Sequence, residues 1–312
     1  MVSTWLNGLV SGTEPAAAGY FGGGYTEVGG ADIFATVDKF LFSDDTRTTL
    51  GTGLSEPTKM LAGMASLTAG YFGGGWADSS PSVTTVNRFL FSDDTRTTLG
   101  TGLSSARYGL AGMASATAGY CGGGWVSGNV TTVDRFLFSD DSRTTLGTGL
   151  SAGTRDLAGM ASSTAGYFGG GTVSGKVTTV DRFLFSDDTR TTLGTGLSVA
   201  RAGPGGMASA TAGYFGGGKL GSAPWVGATV DRFLFSNDSR TTLGTGLSAN
   251  IGNVAGMSSS DAGYFGGGSN NDSPYYWATV DRFLFSDDTR TTLGTGLSVA
   301  REFLAGVAPG LS

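Results

Sequence analysis

The sequence predicts an all-β protein folded as a six-bladed β-propeller, with four antiparallel strands in each blade. The first observation behind this prediction is a repeat, because six near-copies of Gly-Tyr-Phe-Gly-Gly-Gly start 51, 49, 47, 47 and 50 residues apart. A self-similar period of this length is typical of propellers and other repeat arrays. The second observation is that one repeat is divided between the two ends of the chain. The copies begin at Gly19, Gly70, Gly119, Gly166, Gly213 and Gly263.

Residues 105–153 show the strand pattern of one unit. Small residues at 110–115 predict the first strand, and the aromatic run at 118–122 predicts the second, since its glycines must turn or bulge the backbone. The alternating run at 132–138 predicts the third strand. A Ser-Asp-Asp-Ser turn then leads into a fourth strand at 143–150. Four such strands make one blade.

The distribution of residue size favours a propeller over a linear solenoid, which is the alternative architecture. Strands near a central axis crowd together and need small side chains, whereas outer strands carry larger ones. The first strand of each unit has the small residues. Tyr120, Phe136 and Phe138 are then expected to fill the space between neighbouring blades.

The two ends of the chain are predicted to close the ring. Residues 301–308 repeat 107–114 but have no second strand after them, while 17–21 form a second strand with only a degraded first strand before it. Joining them in one blade removes the exposed strand edges that a solenoid would have to cap. We expect one propeller domain over residues 15–312, preceded by an N-terminal arm over residues 1–14.

Composition narrows the classes of partner. The net charge is −6, and no cluster of Lys and Arg is interleaved with aromatic residues, which argues against binding to nucleic acid or to an anionic membrane. No run approaches the roughly 20 apolar residues that span a bilayer, and the N-terminus lacks a basic leader. We expect a protein made without a signal peptide and without membrane insertion.

The residues that usually carry catalysis are scarce. The chain has no His, the commonest metal ligand and the usual general base near neutral pH. Carboxylates recur from unit to unit, so no single acid stands out. Cys121 replaces a repeated Phe and is predicted to be a small buried hydrophobe. The sequence therefore predicts no enzymatic activity, no cofactor and no metal.

The Ser-Asp-Asp-Thr turns place paired acids, such as Asp187 and Asp188, at six points of one face. We predict that these acids cap their own turns and pair with the arginine that follows. Binding of Ca²⁺ by the clustered oxygens is the alternative. The six following arginines are Arg47, Arg96, Arg143, Arg190, Arg240 and Arg290.

The connection from the second to the third strand is the part that differs between units. Variable loops on a rigid scaffold are the usual place for binding, and exposed Trp and Tyr suit protein and sugar contacts. The predicted binding residues are Tyr25, Phe34, Trp76, Trp125, Trp225, Tyr275, Tyr276 and Trp277. The alternative is that these aromatics pack over the edges of their own blades.

Strand direction places these loops on the face opposite the acidic turns. The connections between blades share that face, including the segments that carry Arg107, Arg201 and Arg301.

The aromatic strand that ends in Gly-Gly at 71–74, followed by the strand at 85–89, resembles the repeat of kelch-type propellers. The phrases GYFGGG and TVDRF are similar to kelch-like repeat proteins of tailed marine and cyanobacterial bacteriophages, described as virion structural proteins. Ser43, Asp45 and Thr49 resemble sialidase-type Asp boxes, which supports the propeller topology.

This resemblance implies a structural or binding module of a phage virion, in the tail, fibre or capsid decoration. Other virion or structural proteins are the expected partners, with a host-surface glycan as a further candidate. The protein is expected in the virion after synthesis in the host cytoplasm, or otherwise in the cytoplasm, in several copies or as a homo-oligomer. A glycan-binding lectin is the first alternative function, and a sialidase-like glycosidase is the second.

Overall fold

A computed structural model describes residues 18–270 and 275–310 of the chain. Within these residues, six four-stranded antiparallel sheets are arranged around one axis, and there is no helix that could cross a membrane. The prediction of an all-β, six-bladed β-propeller is confirmed. Blade 1 combines strands from the N-terminal and C-terminal parts of the described chain, and blades 2 to 6 follow along the sequence. The predicted arm, residues 1–14, lies outside the described residues.

The inner strand of each blade lies next to the axis, and the second strand pairs with it. The inner strands of blades 2 to 6 and then of blade 1 are Ala62–Ala65, Ala111–Ala114, Ala158–Ala161, Gly205–Ala208, Ala255–Ser258 and Ala305–Val307. The second strands of blades 1 to 6 are Ala18–Gly22, Ala69–Gly73, Ala118–Gly122, Ala165–Gly169, Ala212–Gly216 and Ala262–Gly266.

The third and outer strands complete each sheet. The third strands of blades 1 to 6 are Val37–Leu41, Val86–Leu90, Val133–Leu137, Val180–Leu184, Val230–Leu234 and Val280–Leu284. The outer strands are Arg47–Thr49, Arg96–Thr98, Arg143–Thr145, Arg190–Thr192, Arg240–Thr242 and Arg290–Thr292. Three short ribbons stand apart from the blades and pair Tyr25–Thr26 with Asp32–Ile33, Thr58–Lys59 with Trp76–Ala77, and Arg201–Ala202 with Lys219–Leu220.

The outer strands are shorter than the sequence predicts. In blade 3 the strand ends at Thr145 rather than at residue 150. Leu146 still donates its amide to the carbonyl of Val133, but the chain then leaves the sheet. Leu150 is buried and donates to Thr131 at 2.8 Å, which directs the backbone toward the next blade.

Blade 1 closes the ring as predicted. Its inner strand comes from the C-terminal end of the chain and its second strand from the N-terminal part, with Tyr20 opposite Val307 and Gly22 opposite Ala305. Hydrogen bonds in blade 1 therefore join segments that are distant in the sequence, and neither segment is left as an unpaired inner edge.

Aromatic side chains fill the space between blades, which confirms that prediction. Tyr120 of blade 3 stacks on Phe185 of blade 4 with ring centroids 5.3 Å apart, and the same pairing recurs around the ring. Phe136 is fully buried against the neighbouring blade. Cys121 is also fully buried, 3.8 Å from the sulfur of Met64, and burial raises the pKa of its thiol to about 12.

Glycines close the axis at the middle of the inner strands. A Cβ built on any of them would overlap the carbonyl oxygen of the equivalent glycine in the preceding blade, so no other residue fits. A cavity of about 330 Å³ lies on one side of this constriction and one of about 70 Å³ on the other. The constriction is formed by Gly63, Gly112, Gly159, Gly206, Gly256 and Gly306.

Each acidic turn combines a cap with a contact between blades. Asp187 caps its own turn by accepting from the amide and hydroxyl of Thr189 at 3.0 and 2.7 Å. Asp188, at φ 57°, instead accepts from Tyr120 at 3.0 Å and from Arg135, both in the preceding blade. Six such contacts, which we call clasps, surround the ring. Their aspartates are Asp45, Asp94, Asp141, Asp188, Asp238 and Asp288.

The arginine that follows each turn does not pair with the turn acids, so that part of the prediction is wrong. Arg190 lies 3.4 Å from Asp181, on the third strand of its own blade, rather than beside Asp187 or Asp188. The reason is the antiparallel ladder, which places the start of the outer strand beside the third strand and leaves the second turn acid facing the neighbouring blade.

Candidate functional site: the axial mouth of the loop face

The face that carries the second-to-third connections, here the loop face, has a repeating backbone frame. In every blade the segment entering the inner strand pairs with the start of the second-to-third connection, which confirms that the two share a face. These six pairs, the cross-strand ring, are Tyr25 with Glu302, Lys59 with Trp76, Tyr108 with Trp125, Arg155 with Thr172, Ala202 with Lys219, and Gly252 with Ser269. The frame repeats, whereas the side chains differ in every blade.

A closed circle of backbone hydrogen bonds lies inside the cross-strand ring. In each blade the next residue has a positive φ and donates its amide to the carbonyl of its equivalent in the preceding blade. The distances run from 2.6 to 3.2 Å. This axial circle lines the 70 Å³ cavity and comprises Met60, Gly109, Asp156, Gly203, Asn253 and Phe303. We call the axial circle together with the surrounding cross-strand ring the axial mouth.

Four aromatic residues form an arc along one side of the mouth. Tyr25 and Tyr276 meet edge to face with centroids 6.2 Å apart, and Trp76 meets Tyr108 in the same way at 5.1 Å. The ammonium of Lys59 lies between the two pairs, 3.7 Å from the ring centroid of Tyr25 and 5.9 Å from that of Trp76. We call Tyr25, Trp76, Tyr108 and Tyr276 the aromatic arc.

Lys59 has an unusual environment for a lysine. Burial lowers the pKa of its ammonium, although the carboxylates of Glu302, Asp78 and Glu27 act in the opposite direction. Within residues 18–270 and 275–310, no hydrogen bond or ion pair of this ammonium is found, and its contacts are with aromatic rings. An ammonium that lies against aromatic rings in this way can donate hydrogen bonds to a ligand.

Glu302 is a buried carboxylate beside the arc. Its Oε2 accepts from Asn253 at 2.6 Å and from the hydroxyl of Ser269, and the ammonium of Lys219 lies 3.6 Å away. Burial, with the negative charge of Glu302, raises the pKa of Tyr276 to about 12. The phenol therefore stays protonated near neutral pH.

Asp156 brings a second carboxylate to the mouth, on the axial circle. Its side chain is 21% exposed, and Nε of Arg155 lies 3.3 Å from Oδ2. Burial raises the pKa of Asp156 despite the opposing charges of Arg155 and Lys219. Asp156 thus holds its proton to a higher pH than an ordinary aspartate.

The predicted binding residues fall into two groups. Tyr25, Trp76 and Tyr276 converge in the aromatic arc. Trp125 is the backbone partner of Tyr108 in the cross-strand ring, and the guanidinium of Arg155 covers its indole ring at 4.8 Å. Phe34 is half-buried, and its backbone bonds Gly24 and Thr58.

The remaining predicted residues lie farther along the connections. Trp225 and Tyr275 are 53% and 58% exposed. Trp277 instead packs against the hydrophobic core beneath its blade, so its main contact is structural. This placement matches the alternative stated from the sequence, that some of these aromatics cover blade edges.

Arg107, Arg201 and Arg301 come from the connections between blades, but they do not line the face. All three are buried and pair inward with carboxylates of the third strands, at 2.9, 2.8 and 3.1 Å. These carboxylates belong to Asp134, Asp231 and Asp38.

Sequence reasoning missed Lys59, Tyr108, Asp156, Lys219 and Glu302. Four of them stand in the two-residue segment just before the inner strand. That segment differs in every unit although the residues around it repeat, reading Lys-Met, Tyr-Gly, Arg-Asp, Ala-Gly, Gly-Asn and Glu-Phe. This break in the repeat was the available signal. In the described residues, no three His, Cys, Asp or Glu side chains are grouped as a metal site.

Comparison with known proteins identifies the fold and no family. No protein-family model matches the sequence, and no curated protein sequence matches it, so the resemblance to kelch and phage virion proteins is not confirmed. Among solved structures, that of YjhT superposes with a TM-score of 0.67 at 14% identity, covering 81% of this chain and 89% of YjhT. The class of protein defined here is a six-bladed β-propeller with an asymmetric axial mouth.

The prediction that the chain has no enzymatic activity is corrected. It depended on the absence of His and on the absence of an acid that distinguishes one unit. The second ground is wrong, because Asp156 and Glu302 each occur in a single blade at the axial mouth. The fold shared with YjhT over 81% of the chain, at 14% identity, does not by itself restrict the protein to a structural role.

Proposed function

We propose that this protein is a glycan-binding β-propeller whose ligand lies over the axial mouth of the loop face. The observation that carries the proposal is the cross-strand ring, in which one backbone frame presents different side chains in every blade. A purely structural role would favour the uniformity seen in the acidic turns. Variation confined to one concave surface on a rigid scaffold supports a binding role.

The chemistry of the mouth fits a sugar. Aromatic side chains offer an apolar surface with a polar tip, which suits a ligand with both apolar faces and hydroxyl groups. The aromatic arc supplies such faces. Lys59 supplies a donor, and the exposed carboxylate of Glu27 is an acceptor beside the hydroxyl of Tyr25.

A location on a phage particle is part of the proposal, based on the resemblance of the repeats to phage virion proteins. In that setting the loop face would contact a host-surface glycan. The opposite face, which carries the acidic turns and is here called the turn face, would contact other virion proteins. Several copies on one particle would then strengthen weak individual contacts through avidity.

A second candidate function is acid–base chemistry on the bound glycan, and the environment of Asp156 favours it. A carboxyl group whose pKa is raised by burial is the usual form of a general acid in glycoside hydrolysis. The residue lies on the axis at the edge of the 70 Å³ cavity.

The test is a glycan array followed by titration of the strongest binder. We expect Tyr276→Ala to weaken binding about 5- to 30-fold, since truncating an aromatic anchor costs about 1 to 2 kcal/mol. Tyr275→Ala, at the exposed adjacent position, is the matched control on the loop face. Asp187→Asn is the control on the turn face.

The proposal fails if no glycan binds, or if Asp187→Asn removes binding while Tyr276→Ala retains it. Chromatography of the same mixtures tests the second candidate. Cleavage that Asp156→Asn abolishes without loss of binding would support acid–base chemistry, and the absence of cleavage products would exclude it for the sugars tested.

A further inference from the structure

We infer that the sugar recognised at the aromatic arc is an uncharged pyranose, with Lys59 as its hydrogen-bond donor, and that acidic sugars are disfavoured there. This inference rests on the proposed glycan binding and specifies the class of ligand. The structural basis is an ammonium that lies against aromatic rings, with no hydrogen bond or ion pair found among the described residues, and an excess of carboxylates around it.

The first step concerns the position of the donor. The ammonium of Lys59 lies 3.7 Å from the ring centroid of Tyr25, and Lys59 is fixed at its backbone by pairing with Trp76. The ring faces attract the ammonium through cation–π interactions but offer no lone pair that could accept a hydrogen bond. The N–H groups of this ammonium are therefore available to the oxygen of a ligand.

The second step concerns charge. Three carboxylates act on Lys59, those of Glu302, Asp78 and Glu27. Among the described residues, Lys219 lies 3.6 Å from Glu302 and Arg155 lies 3.3 Å from Asp156, so each of these cations already has a carboxylate partner. Four carboxylates, those of Glu27, Asp78, Glu302 and Asp156, therefore face three cations, Lys59, Lys219 and Arg155. A sugar carboxylate would enter a partly desolvated site that already has an excess of negative charge.

The third step concerns shape. Tyr276, Tyr25 and Trp76 come from three successive blades, 6, 1 and 2, with Lys59 between the rings of the last two. An uncharged pyranose can place an apolar face against such rings and direct its hydroxyls to Lys59 and the carboxylate of Glu27. No part of this arrangement requires a charge on the ligand.

The test compares matched pairs of probes by ligand-observed NMR titration of the whole protein. The pairs are methyl glucoside with methyl glucuronide, and methyl galactoside with methyl galacturonide, which differ only in the carboxylate. We expect the neutral member of the binding pair to bind at least about 10-fold more tightly. Lys59→Met, which keeps an unbranched side chain as far as Cε and removes the ammonium, should weaken that binding about 10-fold.

Lys176→Met is the matched control, because this lysine lies outside the arc and donates to the carbonyl of Leu220 at 2.5 Å. Thermal melting of each variant verifies the fold. The inference is overturned if the acidic probe binds as tightly as the neutral one, or if Lys59→Met keeps full affinity. If sugars of neither kind bind here or on the array, the proposed function itself fails.

Discussion

Single residues show how the repeat tolerates differences between blades. Asp134 is completely buried, and it accepts from Ser104 and Thr145 while pairing with the buried Arg107 at 2.9 Å. Burial alone would raise the pKa of this carboxyl, but the hydrogen bonds and Arg107 outweigh it and lower the pKa. Blade 2 has Thr58 and Asn87 at these two positions, so both charges are absent from that blade.

The first prediction concerns this buried pair. We expect Asp134→Asn to destabilise the protein by about 3 to 5 kcal/mol, because it leaves the guanidinium of Arg107 buried without a counter-charge. Asp181→Asn is the matched control, since Thr154 stands at the position of the buried arginine in that blade. Urea denaturation measures both.

The double variant Arg107→Thr with Asp134→Asn reproduces the pair found in blade 2 and should recover much of the loss. Acid sharpens the test. Because the folded-state pKa of Asp134 is lowered, its stabilisation is present above about pH 4 and is lost as the pH falls below that value. Equal losses for Asp134→Asn and Asp181→Asn would contradict the account.

The sequence correctly predicted that Cys121 is buried, because this residue stands where the other five copies of the repeat have a Phe. Asp156 and Glu302 were not predicted as site residues. The partners of Glu302, Ser269 and Lys219, come from distant segments, and local spacing contains no sign of these contacts.

At the scale of elements, the acidic turn is the joint between blades. The sequence predicted its cap, since Asp and Ser bond their own backbone in such turns. The partner of the second aspartate was predicted wrongly, because Tyr120 and Arg135 lie about one whole unit away from Asp188. The strand pattern of one unit places the turn within a single blade, whereas the clasp joins two neighbouring blades.

The second prediction separates these two roles. We expect Asp188→Asn to destabilise the protein by about 1 to 3 kcal/mol, since hydrogen bonds from a tyrosine and an arginine lose their charged acceptor. Asparagine tolerates the positive φ at this position, so the backbone is little disturbed.

Asp187→Asn is the control for the clasp variant. Blade 5 already carries Asn237 at the capping position, and its side-chain oxygen accepts from Ser239 at 3.0 Å. We therefore expect little change in the melting temperature. If the two variants melt alike in scanning calorimetry, the clasps do not stabilise the contacts between blades.

At the scale of the whole molecule, closure of the ring brings side chains from all six blades together on the loop face. Repeat period, strand pattern and the divided repeat were enough to predict six blades and their closure. The axial circle and the cross-strand ring were not predicted, because they form only when the six blades meet around one axis. Of the predicted aromatics, Tyr25, Trp76 and Tyr276 meet in the arc, whereas the others lie elsewhere on the connections.

A crystal structure with the strongest glycan from the array tests the central claim most directly. The account predicts electron density for the sugar over the axial mouth of the loop face, against Tyr25, Trp76 and Tyr276 and within hydrogen-bond distance of Lys59. Density in the 330 Å³ cavity of the turn face, or on the outer strands with the aromatic arc left free, would contradict it.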